Sequence, residues 1–251
     1  MSVLRWTLQG LQCLALQFML MLLGLGSLLW NAVALLLYRL LPLAAGRRIG
    51  RAAIAAGYRM FWWMARLAGM VRLHADALDT LRDEPGLIIV ANHPSMLDAM
   101  MLVARLPRSA CIMKAGLMRS PFLGPGARLA RYIRNDSPRG LVRMAVADLQ
   151  QGGQLVIFPE GTRTTLPPVN PFRSGVTLIA KLAHAPIQTV FIDTHSPYLC
   201  KGWPLWRLPP LPIVFSVRLG RRFVPGQDYA AELQALQAYF SAGVQRPAAM
   251  P

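Results

Sequence analysis

The chain has 251 residues, which is enough to bury one sizeable core with an appendage. Only 15% of its residues are charged, against about 25% in an average soluble protein, and its mean hydropathy is +0.37. The formal net charge of +16 comes from 24 arginines and three lysines against 11 acidic residues. Such a charge suits nucleic acid, an anionic membrane or phosphorylated substrates. The high hydropathy argues against nucleic acid and predicts a surface that is partly in contact with lipid.

The three cysteines are scattered along the chain, at Cys13, Cys111 and Cys200. They do not have the spacing of metal ligands, and they do not suggest a disulfide framework. We therefore expect neither a metal site nor a structural disulfide.

The first part of the chain is strongly apolar, with no charged residue from Trp6 to Tyr38. This run of 33 positions exceeds the roughly 20 residues that a spanning helix needs. Because Gly24, Gly26 and Asn31 interrupt it, two architectures compete: a single tilted transmembrane helix, or two shorter helices that enter one leaflet and return. Arginines follow the run closely, so the positive-inside bias places the rest of the chain in the cytoplasm.

The next segment carries seven arginines and no acidic residue from Arg39 to Arg72. Four of the arginines share one side of a helix at 100° per residue: Arg48, Arg51, Arg59 and Arg66. Apolar residues occupy much of the remaining helix surface. The pattern predicts a basic amphipathic helix at an anionic lipid surface, and the alternative is a core-packing helix with a solvated face.

Beyond Val71, short apolar runs alternate with helical patterns, which predicts an α/β domain with a mixed sheet flanked by helices. The predicted strands are 71–74, 87–91, 110–113, 132–133, 154–158, 187–192 and 213–217, and the predicted helices are 99–105, 139–151, 174–184 and 229–244. We therefore divide the chain into a membrane-embedded helical segment with the basic helix (1–70), the α/β domain (71–246) and a short tail (247–251).

A histidine and an aspartate lie five positions apart where a strand meets a helix, in the sequence Asn92-His93-Pro94-Ser95-Met96-Leu97-Asp98. Ser95 suits a helix N-cap, which would put Asp98 at the third helical position. From there its carboxylate can reach the imidazole of His93 and stabilise the imidazolium. The alternative interpretation is a capping aspartate beside an ordinary loop histidine.

A second group of polar residues follows the predicted strand that ends at Phe158, in the sequence Pro159-Glu160-Gly161-Thr162-Arg163. Gly161 would let the backbone approach a ligand, and the guanidinium of Arg163 can bind a phosphate. Glu160 could orient that arginine or accept a hydrogen bond from a substrate hydroxyl. A further arginine, Arg173, stands at the start of the next predicted helix. The alternative is a surface turn with an ion pair of little energetic value.

Together these two motifs resemble those of the glycerolipid acyltransferase family, which includes the 1-acylglycerol-3-phosphate acyltransferases. The resemblance runs from about Val71 to Val217. The Asn-His-x4-Asp motif is matched by Asn92, His93 and Asp98, and Phe-Pro-Glu-Gly-Thr-Arg is matched in full by Phe158 to Arg163. Further matches are Phe172, Arg173, Gly175 and Pro186-Ile187. The intermediate motif fits through Lys114, Pro121 and Gly124, but its final arginine is either Arg131 or Arg134.

The resemblance implies an enzyme that moves a fatty acyl group from acyl-CoA or acyl carrier protein to a lysophospholipid hydroxyl, with no further cofactor and no metal. It implies that His93 is a general base oriented by Asp98. It also implies that the acceptor is bound by Glu160, Gly161, Thr162, Arg163, Lys114, Arg131 or Arg134, and Arg173.

The expected acceptor is 1-acyl-sn-glycerol-3-phosphate, and the expected location is the bacterial inner membrane with the catalytic domain on its cytoplasmic face. Because the intermediate motif drifts, another acceptor, such as a lyso-aminolipid or another lipid-linked hydroxyl, stays open. So does a non-catalytic protein that binds anionic membranes.

Overall fold

The computed structural model describes residues 3–205 and 207–244, with side chains from residue 10 onward. The tail expected at 247–251 lies outside these residues. Within the two described ranges, two long helices open the fold and five shorter ones follow in the α/β domain. The helices are α1 (Val3–Leu40), α2 (Leu43–Leu67), α3 (Leu97–Arg105), α4 (Gly124–Leu129), α5 (Pro138–Gln150), α6 (Gly175–Ala183) and α7 (Tyr229–Gly243), with 3-10 helices at Asp76–Leu81 and Ala115–Arg119.

In the described part of the chain, seven strands form one mixed sheet, as the alternation of strands and helices predicts. The strands are β1 (Val71–His74), β2 (Ile88–Ala91), β3 (Ser109–Lys114), β4 (Ile133–Asn135), β5 (Gln154–Ile157), β6 (Ile187–Thr194) and β7 (Ile213–Phe223). Their order is β1-β7-β6-β2-β5-β3-β4, and only the β6–β7 pair is antiparallel. The central strands β2 and β5 are buried throughout, because helices cover both faces of a parallel sheet.

The strand directions distinguish two edges of the sheet. Strands β2 to β6 are mutually parallel, so their carboxyl ends meet at one edge. We call this the carboxyl edge and the opposite one the amino edge. Strands β1 and β7 run the other way, so α2, which leads into β1, ends near the carboxyl edge and begins near the amino edge. Open α/β sheets bind ligands at the carboxyl edge.

Helix α1 is continuous, so the structure does not contain the pair of short helices that the glycines and Asn31 allowed. Asn31 does not interrupt the helix. Its buried amide donates to the carbonyl of Phe122 (2.7 Å) and accepts from the N–H of Gly126 (2.7 Å). This residue therefore attaches the C-terminal part of α1 to the start of α4.

The stretch Gly10–Leu40 of α1 is long and apolar enough to cross a membrane, with a mean hydropathy of 2.1 and only 11% of its most apolar window buried. Large apolar side chains are exposed along much of its length. They include Leu11, Leu14, Phe18, Leu25, Leu29, Leu36 and Leu40.

Helix α2 is amphipathic, but its arginines do not form the uniform lipid-facing surface that the sequence suggested. Arg51 is buried and donates to Asp148 (2.7 Å) and to the carbonyls of Ala130 (3.0 Å) and Arg108 (2.8 Å). Arg59 donates to the carbonyl of Ala104 (3.2 Å). These two side chains attach the helix to the α/β domain, which corrects the prediction for that part of the arginine face.

We predict that Arg51→Gln lowers the free energy of unfolding by about 3 kcal/mol, because it breaks a buried ion pair. Thermal unfolding in detergent without added lipid measures the effect. The matched control is Arg48→Gln, one turn away on the same helix, where the side chain is exposed. Equal stability of the two variants would show that Arg51 does not hold α2 in place.

Candidate active site

The end of β2 is fixed by a side-chain clamp on the neighbouring strand. Asn92, the first residue after β2, donates its amide to the carbonyl of Ile192 and accepts from the N–H of Ile192, both at 2.8 Å. These bonds extend the β2–β6 pairing beyond the last backbone pair. His93 therefore leaves the sheet from a rigid position at the carboxyl edge.

His93 and Asp98 meet as the spacing predicts. Nδ1 of His93 lies 2.9 Å from Oδ2 of Asp98, whose side chain is completely buried, while the His93 side chain is 17% exposed. The imidazole stacks on Phe158 with ring centroids 4.0 Å apart. Nε2 has no hydrogen-bond partner among the described residues. The carboxylate thus holds the ring with Nε2 available to accept a proton.

The helix start differs by one residue from the prediction. Helix α3 begins at Leu97, so Asp98 is its second residue and Met96 occupies the N-cap position. Ser95 still satisfies the turn: its Oγ accepts from the N–H of Leu97 (3.2 Å) and its own N–H donates to Asp98 (2.7 Å). Oδ2 of Asp98 is therefore within hydrogen-bond distance of both the imidazole of His93 and the N–H of Ser95.

Burial raises the pKa of the Asp98 carboxyl, and the nearby charge of Glu160 raises it further. The hydrogen bond and charge of His93, with the N–H of Ser95, oppose this rise in pKa. Folding therefore places the ionised carboxylate in an unfavourable environment, and the imidazole is the partner that compensates for it.

Glu160 joins the two motifs through backbone contacts. The side chain is only 3% exposed. Oε1 accepts from the N–H of His93 (3.0 Å) and from the hydroxyl of Thr164 (2.8 Å), and Oε2 accepts from the N–H of Asn170 (2.8 Å). Both oxygens are thus occupied by protein donors. In this arrangement the carboxylate positions His93, and it is not open to a substrate hydroxyl.

Two arginines that follow Glu160 in the chain, Arg163 and Arg173, form a basic wall next to the His93–Asp98 pair. Gly161 adopts φ +68°, and a Cβ there would lie 2.5 Å from Nε of Arg173, so glycine lets that arginine cross the turn. Arg163 donates from Nη1 to the carbonyls of Leu199 (2.8 Å) and Cys200 (2.9 Å). Its remaining donors have no partner among the described residues. Thr162 lies half-buried in the same turn.

The residues of the intermediate motif separate into two locations. Lys114 ends β3 and pairs in register with Asn135, and Arg134 lies in β4, so both are at the carboxyl edge. With strands about 4.8 Å apart, they stand about 10 and 15 Å along the sheet from His93. Arg134 forms an exposed ion pair with Asp136 (3.2 Å). Arg131 precedes β4 at the amino edge, and its guanidinium lies 5.1 Å from the ring centroid of Tyr38.

Sequence reasoning missed two supports of the site. Asn170 accepts from the N–H groups of Thr165 (3.1 Å) and Leu166 (3.0 Å), which shapes the loop after Arg163. The loop after β6 contacts both motifs: Ser95 donates to the carbonyl of Tyr198 (3.0 Å), and the N–H of Met96 donates to the carbonyl of Leu199. The presence of an asparagine near the Glu160 motif could have indicated the role of Asn170. Nothing in the sequence indicated the contacts of the loop after β6. No cluster of three metal-ligating side chains occurs within the described ranges.

Comparison with known proteins agrees with this geometry. The family model for Acyltransferase matches residues 72–193, a range that contains both motifs. Among curated proteins, the 1-acyl-sn-glycerol-3-phosphate acyltransferase of Pseudomonas aeruginosa is 23% identical over 189 residues, covering 73% of this chain and 72% of that protein. The protein of the same name from Helicobacter pylori is 36% identical over 112 residues, covering 42% of this chain and 47% of that protein.

A solved structure shares the fold. The 1-acyl-sn-glycerophosphate (LPA) acyltransferase PlsC of Thermotoga maritima matches with a TM-score of 0.71 over 92% of this chain and 93% of that one, at 19% identity. The match includes most of the chain and therefore extends beyond the α/β domain. Residues 72–193 therefore form an acyltransferase domain of the glycerolipid acyltransferase family, and the chain is an acyltransferase.

We predict that Asp98→Asn separates stability from catalysis. The amide oxygen can accept the same two hydrogen bonds as Oδ2. A neutral amide also avoids the desolvation of a buried charge, which is what raises the pKa of the carboxyl. A carboxyl whose pKa is raised by folding lowers the free energy of unfolding as the pH rises and the group ionises. Asparagine does not ionise, so the variant should be at least as stable as wild type at neutral pH. The catalytic rate should fall by about 10²–10⁴-fold, since the imidazolium loses its counter-charge.

Thermal unfolding at neutral pH and initial rates measure the two effects. A variant that is both less stable and fully active would contradict the assignment of Asp98 as the residue that stabilises the imidazolium.

Proposed function

We propose that the protein transfers a fatty acyl group from an acyl thioester to the free hydroxyl of 1-acyl-sn-glycerol-3-phosphate, giving phosphatidate. The observation that carries this proposal is the His93–Asp98 pair, with Nε2 open at the edge where the guanidiniums of Arg163 and Arg173 gather. The names of the Pseudomonas aeruginosa and Helicobacter pylori relatives support this choice of acceptor.

His93 acts as the general base. Nε2 removes the proton of the acceptor hydroxyl as the oxygen attacks the thioester carbonyl, and a tetrahedral oxyanion forms. When the C–S bond breaks, the leaving thiolate takes the proton from the imidazolium. Asp98 stabilises that imidazolium throughout. A thioester is already activated for acyl transfer, so the steps proposed here involve no metal or redox cofactor.

The acceptor phosphate is bound by the basic residues of the carboxyl edge. Arg173 is exposed and Arg163 keeps unused donors, and a planar guanidinium suits a phosphate well. Lys114 and Arg134 add positive charge along the sheet. At Gly161 and Thr162 the acceptor can come close to the backbone of the turn. Arg131 lies at the other edge, and we assign it no contact with the acceptor.

An apolar cavity of about 500 Å³ can receive an acyl chain. It lies between α1, α2 and α4, and its volume is in the usual range for ligand pockets. Its lining is dominated by apolar side chains such as Leu22, Leu29, Ile54, Phe61 and Met113. Most of this surface is apolar, so a hydrocarbon chain could bind there without burying polar groups.

The exposed apolar face of α1 supports association with a membrane, since it would otherwise contact water. The bilayer then supplies the lysophospholipid, and acyl-CoA or acyl carrier protein supplies the acyl group from the aqueous side. We place the enzyme in a bacterial inner membrane with the α/β domain facing the cytoplasm, because arginines follow α1 closely.

We predict that His93→Ala abolishes acyl transfer, since a general base contributes about 10²–10⁴-fold and positioning depends on the same ring. The assay offers a panel of lysolipids with both donor types and detects products by mass spectrometry. The control is His74→Ala, an exposed histidine at the end of β1 near the amino edge. Transfer only to a phosphate-free lysolipid would refute the proposed acceptor, and an unchanged rate in His93→Ala would refute the mechanism.

We predict that Glu160→Gln lowers kcat by about 10²-fold and leaves the KM for the acceptor within about twofold, because a misplaced base slows the chemical step. An amide cannot accept from His93, Thr164 and Asn170 at once. Arg173→Gln is the matched variant, and it should raise KM by about tenfold through the loss of a charged hydrogen bond. If Glu160→Gln raised KM with kcat unchanged, Glu160 would be an acceptor ligand.

A further inference from the structure

A second, strongly basic cavity lies at the amino edge of the sheet. It measures about 620 Å³ and is formed by the start of α2 and by the loops that precede β3 and β5. We call it the arginine cleft. Four guanidinium-bearing side chains line it, and most of the other residues are small. The arginines are Arg47, Arg48, Arg51 and Arg108, and the small residues are Ala44, Ala45, Ala52, Gly152 and Gly153.

The cleft has an excess of positive charge. Oδ1 of Asp148 accepts from Arg47 (3.1 Å) and Arg51 (2.7 Å), and no other carboxylate contacts these four arginines in the described part of the chain. Arg108 donates to two backbone carbonyls, each at 3.2 Å. Arg48 is exposed and makes no hydrogen bond or ion pair within the described ranges. Four positive charges therefore face one negative charge.

The donors are partly preorganised. Arg51 is held rigidly by its three bonds and forms a fixed part of the cleft wall. Each guanidinium has five N–H donors, so all four arginines keep donors that no protein group uses. The first turn of α2 adds to the positive potential of the cleft. It has no acidic residue and no side-chain cap, so its N–H groups and the positive end of the helix dipole are not neutralised there.

The arginine cleft is separate from the catalytic pair. Gly153 immediately precedes β5 and Glu160 lies beyond its other end, so the four residues of β5 stand between them. That distance is about 13 Å at the usual rise per strand residue. An anion bound in the arginine cleft would therefore be a different one from the acceptor at His93.

The position of the cleft identifies the kind of anion. The apolar run of α1 ends at Leu40, and the turn into α2 leads directly to Ala44 and Ala45 of the cleft wall. Leu40 and Leu43, which flank the turn, are 67% and 65% exposed. A basic cavity at the end of a membrane helix lies at the depth of lipid headgroups.

We propose that the arginine cleft binds the phosphate headgroup of an anionic phospholipid, whose acyl chains lie against the exposed leucines at the α1–α2 turn. This inference rests on the membrane association proposed above, but it does not depend on the catalytic reaction. The bound lipid anchors the amino edge of the domain to the bilayer. It is neither the substrate nor the product at His93.

The test is lipid retention by the full-length protein in detergent. Wild-type protein is incubated with equal amounts of phosphatidylglycerol and phosphatidylcholine of the same chain length, and the retained lipid is measured by native mass spectrometry. We expect phosphatidylglycerol to be preferred. Arg48→Gln should weaken its binding by about fivefold, the effect of one basic side chain at an anionic surface. Arg82→Gln removes an exposed charge outside the cleft and should retain lipid like wild type.

A second arm distinguishes a lipid headgroup from a soluble phosphate. Inorganic phosphate at the same concentration should not displace the bound phosphatidylglycerol. Displacement would overturn the lipid assignment, and equal retention by Arg48→Gln and wild type would overturn the site. Acyl transfer by Arg48→Gln should stay within about twofold of wild type. Because lipid retention is read without catalysis, an inactive wild-type protein would refute the proposed function and leave this result unaffected.

Discussion

The buried carboxylate of Glu160 is the contact on which the site depends most. It stands after β5, yet its oxygens receive the N–H of His93 after β2 and the N–H of Asn170, ten residues further along. One side chain thus ties together two strand ends and the loop that carries the basic wall. A carboxylate that is 3% exposed is costly to bury unless donors surround it, and here three do.

The buried acidic side chains of the structure have different partners. Asp98 contacts the imidazole directly and balances its charge, whereas Glu160 holds the backbone from which that imidazole projects. Asp148 has no part in the site and binds the arginines of α2. The arginines differ in the same way: Arg51 and Arg59 attach α2 to the domain, while Arg163 keeps donors without a partner among the described residues. Part of the large net charge therefore serves the packing of α2 against the domain.

The α/β fold could be predicted from the sequence because its signals are local. Every predicted strand overlaps an observed one, since short apolar runs bounded by turn residues fit a buried sheet. The His93–Asp98 contact could also be predicted, because five residues across a strand-to-helix turn leave few other geometries. The continuity of α1 could not be predicted. The partners of Asn31 are 91 and 95 residues away, and they convert an apparent interruption into an attachment point.

The sequence by itself determined the elements, the two motifs and the amphipathic character of the first two helices, because each depends on neighbours along the chain. Only the tertiary structure decided which polar groups remain open. It separated Arg134 at the carboxyl edge from Arg131 at the amino edge, and it occupied Glu160 with protein donors. The physical reason is that a charged side chain satisfies whichever partner the fold brings within hydrogen-bond distance, and the order of strands in a sheet is not written in any local pattern.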